Sequence, residues 1–204
     1  SVRHAKMNFN MLPLLFSNPS AFILFFGGLI IAIGIHEAAH CYMADYLGDP
    51  TPRALGRLTL NPLAHLDPLG TIVILVTGTF GWGKPSPFDP YNLKNPRGDT
   101  AKIALAGPIS NIILAILLSL IHRTVNFPPS LSQISISIIA LNINLALFNL
   151  IPLPPLDGSK IFSLRSPLLT NPQTSYLILI LLIATGLAGT ILFPISNFLL
   201  HLLI

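Results

Sequence analysis

His36, Glu37 and His40 stand in the pattern H-E-x-x-H. On a helix, histidines four residues apart share one face, where two neutral imidazoles can hold one zinc ion, and the glutamate is placed to take a proton from an attacking water. The chemistry these residues point to is metal-assisted hydrolysis. A pentapeptide of this kind also recurs by chance, so its setting decides its weight. Residues 21–35, just before it, are apolar, and burying a carboxylate and two imidazoles among them costs several kcal/mol unless they are paired or metallated. The rival class is an ion or proton transporter in which His36, Glu37 and Asp157 form a relay.

Zinc that keeps a coordination position open for water needs a third protein ligand. Asp157 is the strongest candidate, because it ends a run of 33 residues, 124–156, that carries no charge. Pro152, Pro154 and Pro155 interrupt helix just before it, and Gly158 lets the backbone pass close to another group. His65, between Pro62 and Pro68, competes for the same role or else supports the site from behind a ligand. Asn142 and Asn149 are seven residues apart on one helical face, with Asn144 between them. Buried amides find partners, so helix-to-helix hydrogen bonding and a role at the site both stay open for Asn142 and Asn144. Asn149, beside the proline break, reads as functional.

Such residues must be positioned by elements that live in lipid. Of the 204 residues 52% are hydrophobic and 9% charged, against roughly 25% charged in soluble domains. Uncharged runs also cover 103–121 and 166–204, each close to or beyond the roughly 20 residues of a crossing helix. Eleven Lys and Arg give a net charge of +4, but they are scattered over loops, which argues against a nucleic-acid surface. The single cysteine, Cys41, allows no internal disulfide.

The expected fold is all-α and polytopic, with about four to six transmembrane helices. A first helix over residues 20–47 is capped by Asn18 or Ser20; further spans cover 102–121 and 133–150, and a broken membrane segment covers 173–204. Residues 66–81 read as a short or re-entrant piece, and residues 57–60 as a small extramembrane edge strand. The chain reads as one domain over 1–204, with its core at about residues 20–160.

If Asp157 meets His36 and His40, the first and third confident spans must run parallel. Residues 48–101 then begin and end on one side. That end collects Arg53, Arg57, Lys84, Lys94, Arg97, Lys102, Lys160 and Arg165, against Arg3, Lys6 and Arg123 at the other, a bias that favours a cytoplasmic site. An extended substrate segment could align along the expected edge at Arg57 by strand addition.

The motifs IHEAAH (35–40), GRLTLNPLAHLDPLG (56–70), GWGKPSPFDP (81–90), NPRGD (95–99), ALAGPISN (104–111) and FNLIPLPPLDG (148–158) resemble the site-2 protease family of intramembrane zinc metalloproteases. The chain is similar to its compact prokaryotic branch, without a PDZ insertion or a CBS pair. The resemblance implies zinc held by His36, His40 and Asp157, Glu37 as general base, and Asn149 as a hold on the substrate backbone or the developing oxyanion. It implies transmembrane protein substrates in the lipid bilayer of the cell membrane.

Overall fold

The computed structural model describes residues 11–77, 82–162 and 171–204. Arg3, Lys6, Arg165 and the end of the 66–81 piece lie outside the described residues. Among the described residues all regular structure is helical: α1 (Met11–Ser17), α2 (Pro19–Tyr46), α3 (Thr51–Ala54), α4 (Pro68–Thr77), α5 (Pro96–Thr124), α6 (Pro129–Asn149), α7 (Asp157–Phe162), α8 (Pro172–Ala184) and α9 (Leu187–Leu203).

The sequence marks where the long helices start. Asn18 Oδ1 accepts from Ala21 N at 3.1 Å with Pro19 in the first turn of α2. Asn95 Oδ1 accepts from Gly98 N at 3.2 Å, and Asp99 returns the bond by accepting from Asn95 N at 2.9 Å. This reciprocal cap satisfies amides that have no partner inside the helix.

Helices α2, α5 and α6, of 28, 29 and 21 residues, are long and apolar enough to cross a membrane. α5 packs between α2 and α6. The C-terminal ends of α2 and α6 and the N-terminal part of α5 come together, so α5 runs against the other two. At the contacts Ala32, Ala38, Ala104, Ala115 and Ala146 are almost wholly buried; small side chains let helix axes approach where lipid offers no hydrophobic drive. Ile113, Leu117 and Leu120 on α5 are about half exposed, an arrangement suited to hydrocarbon rather than water.

Two expectations about the fold fail. The expected number of spans was too high: among the described residues three helices qualify, or four if α8 and α9 are taken as one span bent by 67°. The bend falls at Gly186, whose φ of 72° lies in the left-handed region, where glycine carries no Cβ penalty. The described residues of the 66–81 piece hold the ten-residue α4, about 15 Å long against a hydrocarbon core of about 30 Å. Its two flanks lie side by side, since Leu66 faces Gly83 in an isolated antiparallel bridge and Lys84 N donates to His65 O at 2.7 Å.

The edge strand at residues 57–60 is also absent; among the described residues there is no strand. Three polar groups of that stretch have partners nearby in the chain. Arg57 N donates to Pro52 O at 2.8 Å, Thr59 O accepts from His65 Nε2 at 2.8 Å, and Thr59 Oγ1 accepts from Asn61 N at 3.1 Å. A ladder needs those backbone groups directed at a neighbouring strand.

Candidate metal centre

His36 and His40 stand one turn apart near the end of α2, and α7 begins with Asp157. His36 Nε2, His40 Nε2 and Asp157 Oδ2 form a triangle in which every side is 3.1 Å. All three residues are buried.

The far side of each ring fixes what the near side offers. Asn111 Nδ2 donates to Ala32 O and to Asn142 Oδ1, each at 3.1 Å, so Asn111 Oδ1 is left to accept from His36 Nδ1 at 2.6 Å. His40 Nδ1 donates to Ile103 O, also at 2.6 Å. With the proton on Nδ1 in both rings, each Nε2 presents a lone pair. Two lone pairs and a carboxylate oxygen 3.1 Å apart repel one another unless a cation or proton lies among them. Three donors around a tetrahedral ion at about 2.0–2.1 Å stand about 3.3 Å apart, so this triangle suits zinc to within a few tenths of an ångström.

Backbone choices keep the space open. A Cβ on Gly107 of α5 would lie 2.6 Å from His36 Nε2 and nearer still to His40 Nε2. One on Gly158 would run into the carbonyl oxygens of Leu150 and Ile151, which face the start of α7. Leu153 and Leu156, packed on Leu179, anchor the turn that delivers Asp157, and Lys160 Nζ lies 3.5 Å from the other carboxylate oxygen of Asp157.

Glu37 is half-buried on α2, and Ser86 Oγ sits 2.6 Å from its Oε2. Asn142 reaches the centre indirectly, through Asn111, and its own amide donates to Ile138 O at 2.9 Å. Asn149 ends α6 and donates to Leu145 O at 2.9 Å. Asn144 is exposed on the outer face of α6. His65 is fully buried outside the triangle; Nε2 donates to Thr59 O, and Nδ1 accepts from Arg57 Nη2 at 3.3 Å. With both nitrogens engaged, His65 has no lone pair left for a metal.

Asn111, Gly107 and Ser86 join the site without a motif that marks them as site residues. Asn111 did leave a trace, as an amide inside an uncharged run that needs a partner.

Several known proteins are similar to this chain in sequence. The candidate zinc metalloprotease YwhC of Bacillus subtilis is 41% identical over 184 residues, covering 83% of this chain and 84% of YwhC. The chain belongs to the site-2 protease family of zinc metalloproteases. This metalloprotease is also similar to the candidate zinc metalloproteases named Rip2 of Mycolicibacterium smegmatis, 30% identical over 159 residues, and of Mycobacterium tuberculosis, 28% identical over 145. Those matches cover 75% and 67% of this chain, and 60% and 55% of the relatives. No protein-family profile matches the sequence of the metalloprotease, and no solved structure does.

Proposed function

We propose that this membrane metalloprotease hydrolyses peptide bonds in or near transmembrane segments of other proteins, at a zinc ion held by His36, His40 and Asp157. The observation that carries the reading is the 3.1 Å triangle of two tautomer-fixed imidazoles and one carboxylate. The chain acts as one domain in the bilayer, and the metal end, where Arg53, Arg57, Lys84, Lys94, Arg97, Lys102 and Lys160 collect, faces the cytoplasm.

When bound, the ion supplies Lewis-acid polarisation of the scissile carbonyl and makes water more acidic. Glu37 accepts a proton from the attacking water and passes it to the leaving amide nitrogen. The Asn149 amide, at the proline break, donates to the oxygen on which charge develops. Asn111 and the Ile103 carbonyl hold the two rings with their Nε2 atoms toward the ion. The substrate must be locally extended, because helical carbonyls are already taken by i to i+4 bonds. Segments with helix-weakening residues are therefore the favoured substrates.

The test compares zinc content and cleavage of a tagged single-span reporter helix, in liposomes, for the wild type and for Glu37→Gln. Zinc retained with cleavage reduced at least about a hundredfold is expected. Cleavage at the wild-type rate by the glutamine variant ends the assignment.

A further inference from the structure

We infer that Ser86 is a positioning residue for Glu37, carried on a segment that the buried Arg57 clamps against α2. The inference rests on the protease reading for its meaning but on separate contacts for its geometry. Ser86 Oγ lies 2.6 Å from Glu37 Oε2 and 2.8 Å from the Glu37 carbonyl oxygen. A hydroxyl has one hydrogen, and the bond to an ionised carboxylate is the stronger use of it.

The backbone before Ser86 lies flat on the helix. A Cβ on Gly83 would come within 2.8 Å of Ile33 Cγ2 and 3.2 Å of Glu37 Cγ, so only glycine lets the segment pass this close to the glutamate stem. Behind the segment, Arg57 Nη2 donates to Lys84 O at 2.9 Å and Nη1 to Pro85 O at 3.4 Å, while Nη2 also reaches His65 Nδ1. Arg57 is 6% exposed, and its Nε has no partner among the described residues. Among those residues no carboxylate pairs with it either. A guanidinium buried without a counter-ion is costly. Here its hydrogen bonds go to the two carbonyls just ahead of Ser86, and they fix where that hydroxyl stands. A glutamate side chain has three rotatable bonds; Ser86 selects one setting of its carboxylate.

The composition supplies the probes. Glu37 is the only glutamate of the chain and Trp82 the only tryptophan. Cell-free synthesis with carboxyl-¹³C glutamate gives an isotope-edited infrared band from Glu37 alone, and tryptophan emission reports the head of the clamped segment. The full chain, zinc-loaded in liposomes, is compared with Ser86→Ala, Ser86→Thr and Arg57→Lys. The lysine keeps the charge but cannot fork across two carbonyls.

Ser86→Ala should move the carboxylate band and lower kcat on the reporter helix about tenfold or more, as expected for a lost hydrogen bond to a charged group. KM and bound zinc should stay within about twofold of wild type, and Ser86→Thr should restore band and kcat, since it returns the hydroxyl. Arg57→Lys should shift both the band and the Trp82 emission. An unmoved band in Ser86→Ala, or an unchanged kcat, overturns the inference. A wild type that binds zinc and cuts nothing sinks the protease reading instead, and the infrared comparison still decides the role of Ser86.

Discussion

At the scale of single residues, the centre works by denying each ring a choice. Asn111 Oδ1 accepts a hydrogen bond from His36 Nδ1–H, so the other side has only a lone pair to offer, and the Ile103 carbonyl does the same for His40. Asn142 acts one step further out, by fixing which way the Asn111 amide points. This order of dependence has a measurable consequence. We expect Asn111→Ala to weaken zinc binding about 10–100-fold in chelator competition, the usual cost of losing the group behind a metal-bound imidazole. Asn142→Ala should weaken it less, and Asn144→Ala, exposed on the far face, not at all. Equal affinities for all three variants would remove the relay from the account.

At the scale of elements, short pieces set the end of the bundle where the metal residues meet. α7 can start against the Leu150 and Ile151 carbonyls only because residue 158 has no Cβ. The loop over residues 87–92 is tied to the end of α2 by Asp49, which is fully buried. Asp49 accepts from Thr51 N, Thr51 Oγ1, Asn92 Nδ2 and Asp89 N at 2.6–3.1 Å. Burial works to raise the Asp49 pKa, but the hydrogen bonds from Thr51, Asn92 and the Asp89 amide outweigh it and hold the carboxyl below its ordinary value. A lowered pKa in the fold means that the ionised group stabilises the loop above the ordinary carboxylate range, and that this contribution is lost as pH falls through the folded value. Amide exchange over residues 87–92 should therefore speed up in acid beyond its intrinsic pH dependence. Asp49→Asn should remove that pH dependence; a variant that keeps the full acid response would show that another group is responsible.

At the scale of the whole molecule, α2 and α6 deliver their ends to one side while α5 runs against them, and the orientation in the bilayer follows from which side that is. Cys41 is the only cysteine and is fully buried, so introduced thiols can be read with little background. Tyr91 is 95% exposed at the metal end, and Val125 follows the opposite end of α5 at 46%. With a membrane-impermeant thiol reagent, Tyr91→Cys should label in inside-out vesicles and Val125→Cys in right-side-out ones. The reverse pattern would place the site on the outer side.

Local physics determined much of this from the sequence alone. A 9% charged composition with long uncharged runs requires a membrane protein built of helices. An ionisable cluster inside such a run must be paired or metallated, and that pointed from His36 and His40 to Asp157, 121 residues away from His36. Other features depended on neighbours that no local pattern names. Whether residues 57–60 form a ladder depended on what lay beside them, and the Arg57 amide and the Thr59 carbonyl found partners in Pro52 and His65. Whether His65 binds metal depended on Arg57 and Thr59 occupying its nitrogens. Asn111 and Ser86 touch the site across separations of 75 and 49 residues. A side chain's partner at such a distance is set by how helices and loops pack in space, and only the tertiary structure decides that.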